Sequence, residues 1–222
     1  MKLLYVEIAR SMWAFDTQLL NLKGFSTQEL FKKLDERYSF AKSPKHPLDL
    51  NEKGVLAFQL GTFVNSEKAH LNVTFTIYNN GFAAETTSST NDASEFLQDL
   101  AEWMSKEFGF QLPPEDNLKK AYFSQTVVHL DAPLSTLNPK LQTIAGALQA
   151  NAKSIDGKPR QFEFAGINFW TEDVGQTFAP APFRLERKWG VPLASNQYFS
   201  QAPLETERHL SLIGDVEKLL KS

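Results

Sequence analysis

The sequence predicts an α+β protein made of two related halves, and three observations carry that prediction. Elements follow one another in the same order twice, at a separation of about 110 residues. The strand-like segments alternate apolar and polar residues, as one-sided antiparallel sheets do. The helix-like segments carry single apolar stripes of the kind that pack on a sheet. Together these predict an internal duplication about a pseudo-twofold axis, each half an antiparallel sheet covered on one face by helices. The halves are expected at 1–112 and 113–222, either as two domains or fused as one.

The first half opens with Tyr5–Ala9, where Leu4, Val6 and Ile8 alternate as in a strand. Its opening run resembles an export segment, but Glu7 and Arg10 interrupt it too early. A helix is predicted over Ser26–Tyr38. Ser26 and Glu29 have capping-box spacing, Phe25 and Leu30 have staple spacing, and Leu30, Phe31, Leu34 and Tyr38 share a face. Residues 41–54 hold prolines, a glycine and charges, a surface connection. Strands follow at Val55–Phe63 and Leu71–Tyr78. In the second, Leu71, Val73, Phe75 and Ile77 alternate strictly with Asn72, Thr74, Thr76 and Tyr78. Asn79-Asn80-Gly81 then predicts a hairpin with a type I′ turn into the extended run Phe82–Thr87. Asp92 and Glu95 are placed to cap a closing helix whose apolar set is Phe96, Leu97, Leu100, Ala101 and Met104.

Pro113-Pro114 marks the boundary. The second half repeats the order with Ser124–Leu130, a helix over Leu137–Asn151, strands at Gln161–Trp170 and Ala181–Trp189, and a helix over Pro203–Leu220. Trp189-Gly190 is placed like the Asn-Gly turn. The segments LAFQLGTF and FEFAGINF match each other, and polar runs, Thr86–Asp92 and Leu193–Gln201, precede both closing helices.

Composition narrows function. With 222 residues, 42% of them hydrophobic, the chain can bury a core without covalent staples. It has no cysteine, which removes disulfides, thiolate catalysis and Cys-based zinc sites. A cytoplasmic home is expected, with no membrane span. Residues 1–110 hold 11 Lys/Arg against 14 Asp/Glu and the remainder 12 of each, so neither half is basic. That balance disfavours nucleic acid, for which Lys119, Lys120, Arg160, Arg184, Arg187 and Lys188 would have to converge on one face.

No metal-ligand spacing and no phosphate-binding glycine loop is present, so no metal or cofactor is expected. One pair carries a catalytic possibility. His129 and Asp131 lie two apart on a predicted strand and point the same way, so the acid could orient the imidazole as a base in a small-molecule or hydrolytic enzyme. Such an enzyme needs a nucleophile, for which spacing does not place Ser124, Ser135 or Thr136, and no elbow motif supports a serine hydrolase. The stronger expectation is a non-enzymatic protein-binding or assembly protein, whose partner is another protein or a second copy. Its contact residues would be the uncharged sheet positions Thr74, Thr76 and Tyr78, together with Trp170 and Trp189, whose phase and turn position predict exposure.

Overall fold

A computed structural model describes residues 1–15, 26–51, 54–111, 113–114, 117–152, 157–172 and 179–221. The protein is α+β. Its strands are β1 (Lys2–Ala14), β2 (Leu56–Val64), β3 (His70–Tyr78), β4 (Gly81–Thr86), β5 (Lys119–His129), β6 (Gly166–Phe169), β7 (Phe183–Arg187) and β8 (Gln197–Ala202). Its helices are α1 (Thr27–Tyr38), α2 (Thr90–Phe108), α3 (Lys140–Asn151) and α4 (Thr206–Leu220). The strands share one hydrogen-bonded order, β2-β3-β4-β1-β5-β8-β7-β6, one sheet in place of two separate ones. The chain forms two compact units. The larger comprises Val6–Ser124 and Pro203–Thr206; the smaller comprises Met1–Tyr5, Gln125–Ala202 and Glu207–Ser222. Among the described residues, no helix is long and apolar enough to cross a membrane.

In the larger unit the strand period of two decides everything else. Phe58 of β2 faces Phe75 of β3, Phe75 faces Ala84 of β4, and Ala84 faces Ser11 of β1, all in antiparallel register. Leu30, Phe31 and Leu34 of α1 and Phe96, Leu97 and Leu100 of α2 bury against that row. Phe75 touches Phe58, Phe82 and Phe96 at ring separations of 5.8, 5.4 and 6.0 Å, mostly tilted or edge-on as aromatic quadrupoles favour. Tyr38 closes the cluster and finds a partner for its hydroxyl, which donates to Asp99 Oδ2 at 2.7 Å.

Local signals are realised with different chemistry from that predicted. Ser26 occupies the α1 N-cap in extended geometry, but its side chain makes no capping bond, and Phe25 lies outside the described residues. The α2 N-cap is Ser89, which accepts from the Asp92 amide at 3.0 Å and donates its hydroxyl to Asp92 Oδ2 at 2.8 Å; Asp92 also accepts from Asn65, and Glu95 accepts from Ser66. The β3–β4 hairpin forms, but not through a type I′ turn. Neither Asn79 nor Asn80 has positive φ, and the positive value falls on Gly81, at 145°. A Cβ on Gly81 would sit 2.0 Å from the Trp13 carbonyl oxygen, so strand β1 passes too close for any side chain there. On edge strand β2, a bulge between Phe58 and Gly61 places Leu60 at φ 53°. Lys42 bridges Gln59 beside it and covers part of the edge. Thr90 and Thr206 cap one another, each backbone amide donating to the other's hydroxyl at 3.0 and 2.9 Å.

In the smaller unit β6, β7 and β8 are antiparallel. The strand predicted over Gln161–Trp170 is confined to Gly166–Phe169. The polar run Leu193–Gln201, read as a lead-in to a helix, contains a single 3-10 turn and then β8. Alternating Tyr198, Ser200 and Ala202 explain why: all three are buried, and a small polar residue in the middle hides the apolar period. The core here holds Leu134, Leu185, Tyr198 and Ile213, with far fewer phenylalanines. Helix α3 buries only Ala145 and exposes Ile144 and Leu148.

Replacing Phe75 by Ala is expected to cost about 3–5 kcal/mol in urea unfolding, since a fully buried ring leaves a cavity. The neighbouring Thr74→Ala change, on the uncovered face, should stay within about 0.5 kcal/mol. Equal losses at the two positions would contradict the assignment of faces.

Candidate binding surface

Among the described residues, the buried side chains of α1 and α2 all turn to the Phe75 side of the larger unit's sheet, and neither helix covers the opposite face. Here the register sets Thr74 opposite Glu85, Thr76 opposite Ala83 and Tyr78 opposite Gly81. Thr74, Thr76 and Tyr78 are half-buried, close-set side chains on one strand face, as the alternation requires. One charged pair lies among them. Arg10 donates to Glu85 Oε2 from Nε at 3.0 Å and Nη2 at 2.5 Å, so the pair neutralises itself.

The two tryptophans belong to the smaller unit and are not brought together. Trp170 follows Phe169, which pairs with Phe183 at the start of β7, whereas Trp189 lies beyond Arg187 at the other end. Strand rise separates these ends by roughly 20 Å. Trp170 is 59% exposed and stacks over the Arg184 guanidinium at 5.6 Å. Trp189 is 95% exposed on a connection longer than the two-residue turn its Trp-Gly pair predicts; of the pair, Gly190 takes the positive φ.

His129 lies at the end of β5, and Asp131 is just past it. The Asp131 carboxylate accepts from Lys221 Nζ at 2.7 Å and has the Met1 amine at 3.9 Å. Its backbone amide donates to Glu217 Oε1 at 2.9 Å. The Lys221 ammonium, with the Met1 amine behind it, holds the Asp131 carboxyl below the usual range. The acid's hydrogen bonds therefore run to groups other than the imidazole it was expected to orient.

A second Ser/His juxtaposition was not legible in the sequence. Ser200 Oγ lies 2.8 Å from His209 Nε2, and both residues are fully buried. The Ser200 hydroxyl donates to the Arg184 carbonyl at 2.7 Å, which spends its proton. Hydrogen-bond arithmetic then places the proton on His209 Nε2, donating to Ser200. That polarity is the reverse of base activation, in which the imidazole takes the serine proton.

A buried polar chain runs beside it. Ser135 Oγ donates to Glu163 Oε1 at 3.1 Å, Arg187 Nη2 donates to Glu163 Oε2 at 3.0 Å, and the Arg187 guanidinium lies over the Tyr198 ring at 5.2 Å. The Leu134 amide donates to the Tyr198 hydroxyl at 3.0 Å. Arg187 shares its side of β7 with buried Phe183 and Leu185, while Arg184 leaves the other side toward Trp170. Two of the six basic residues thus point in opposite directions, and the six do not converge on one face.

Two concavities lie in the larger unit. One, of about 240 Å³, has apolar walls including Leu30, Leu34, Ile77 and Phe110; the other, of about 320 Å³, lies along α1 near Lys32, Asp35 and Ser43. Among the described residues no three His, Asp or Glu side chains gather as metal ligands would. No protein-family model matches the chain, and no curated protein is similar to it.

Burial pulls the His209 pKa down from its ordinary 6.5 to about 4, since the charged form cannot be hydrated there. Between those pH values the unfolded chain binds a proton that the folded chain refuses, so stability held above pH 6.5 is lost as pH falls toward 4. The loss is about 3 kcal/mol. Urea titrations of wild type and His209→Gln between pH 7 and 4 should show the wild type losing more by that amount; parallel curves would refute a buried neutral imidazole.

Proposed function

We propose that this is a non-enzymatic protein-binding or assembly protein, and that it meets another protein or a second copy of itself on the open sheet face of Thr74, Thr76 and Tyr78. One observation carries the reading. The helices of the larger unit cover one side of its sheet, and the other side presents half-buried Thr74, Thr76 and Tyr78 beside an Arg10–Glu85 ion pair that neutralises itself. A solvated sheet face is ordinarily studded with Lys and Glu; a face of Thr and Tyr can be covered at little desolvation cost.

We also propose that the halves 1–112 and 113–222 are copies of one βαβββα unit. Strand order supports this, since β2-β3-β4-β1 and β6-β7-β8-β5 are the same arrangement. Register supports it further. A shift of 116 residues carries Thr90 onto Thr206. The same shift superposes the buried positions Ala93, Leu97, Leu100, Ala101 and Met104 of α2 on His209, Ile213, Val216, Glu217 and Leu220 of α4. In the ladders, Thr74 faces Glu85 as Arg184 faces Gln201, and Phe75 faces Ala84 as Leu185 faces Ser200. This correspondence aligns Phe58 with Ile167, a different register from the match of LAFQLGTF with FEFAGINF.

Native mass spectrometry of gently purified protein tests the binding reading. The expected result is a species heavier than the 25.1 kDa chain that Thr76→Arg returns to the single-chain mass without altering thermal stability. A single-chain mass throughout, or a complex that survives Thr76→Arg, would contradict it.

A further inference from the structure

On the side of β7 away from buried Phe183 and Leu185, the smaller unit carries a cation with no acid opposite it. In the larger unit the cation has its acid: Arg10 faces and pairs with Glu85. In the smaller unit Arg184 faces Gln201 on one side and Asn168 on the other, an amide in each case. The Gln201 carboxamide is itself engaged, accepting from Gln125 Nε2 at 3.4 Å and donating to the Pro182 carbonyl at 3.1 Å. Glu186 lies on the same strand face about 7 Å away, from the strand rise. It forms no ion pair with Arg184 among the described residues.

Among the described residues, the Arg184 guanidinium therefore has an aromatic neighbour and no acceptor. Trp170 lies over it, and its buried Nε finds no acceptor among those residues. A charged donor left unpaired is costly, and its terminal amines are the atoms that an incoming acceptor reaches. Arginine and tryptophan are also both enriched among the residues that dominate binding energy at protein contacts.

We infer that Arg184 and Trp170 form a docking point for an Asp or Glu carboxylate on another protein, with an apolar residue flanking that acid laid on the indole. Charge complementarity selects the acid. A guanidinium accepts a carboxylate in a two-bond fork, and one cation matches one carboxylate. Polyphosphate recognition needs several cations on one surface, whereas Arg187 leaves the opposite side of the same strand. The site also lies on the flat of a sheet, a surface suited to a protein segment, while small ligands favour concave pockets. It is distinct from the face of Thr74, Thr76 and Tyr78 and is tested separately, since Thr76→Arg leaves it intact.

The test is an NMR titration of the full-length ¹⁵N-labelled protein with two blocked tetrapeptides, identical except that one carries Glu and the other Gln beside a Leu. The Glu peptide should shift the Arg184 Nε–H and Trp170 indole N–H signals together, and the Gln peptide should not. Arg184→Gln should abolish the shift. Glu186→Gln, which leaves Arg184 in place, should tighten the Glu peptide about threefold, as removal of a like charge about 7 Å away in a water-like dielectric requires. Equal shifts from both peptides, a shift that survives Arg184→Gln, or no tightening in Glu186→Gln would overturn the inference. So would saturation of the same signals by inorganic phosphate at a lower concentration than the Glu peptide, which would assign the site to a phosphate.

Discussion

Phe75 stands at the centre of the larger unit because a strand residue can face only one way. Its ring meets rings from β2, β4 and α2, and that contact fixes which side of β3 is buried. A slip of one residue would exchange Val73, Phe75 and Ile77 for Thr74, Thr76 and Tyr78 against the helices, putting hydroxyls into an aromatic core. The core therefore sets the register, and the register creates the polar face on the far side. The Arg10–Glu85 pair depends on the same alignment, since it requires Arg10 and Glu85 to lie opposite one another.

The two units solve the same packing problem with different chemistry. The larger buries Ala84 and Ala93 between sheet and helix, whereas the smaller buries Ser200 and His209, which hydrogen-bond to one another. Where the larger has Ile77 facing Phe82, the smaller has Arg187 facing Tyr198, with Glu163 and Ser135 completing the chain. Buried polar groups confer less stability than rings of the same volume, and two Arg187 nitrogens find no acceptor among the described residues. The aromatic unit supplies the larger packed core, and in the polar unit Ser200 of β8 hydrogen-bonds to His209 of α4 while the Arg187–Glu163 ion pair ties β7 to the segment ahead of β6.

Much of the fold was legible because it rests on local period. The alternation over Leu71–Tyr78 gave strand, face and core together, and the apolar stripes of α1 and α2 gave both helices. Turn and cap chemistry was less legible. Gly81 is required by the close passage of Trp13, a contact between strands far apart in sequence, and Ser26 offers a capping oxygen that the fold does not use. Strand β8 was hidden because Ser200 interrupts its apolar period. The placement of Thr74, Thr76 and Tyr78 followed from alternation alone. Sequence spacing did not reveal that Lys221 occupies Asp131, that Ser200 reaches His209, or that Arg184 lies under Trp170, because those partners meet only through tertiary structure.

The open face of the larger unit is the central claim, and Tyr78 is its most direct reporter. Hydroxyl-radical footprinting of gently purified protein, before and after dilution to dissociate complexes, would read its solvent access. Tyr78 should be protected in the concentrated sample and labelled after dilution, while buried Phe75 stays unlabelled in both. Equal labelling of Tyr78 in the two samples would contradict the account.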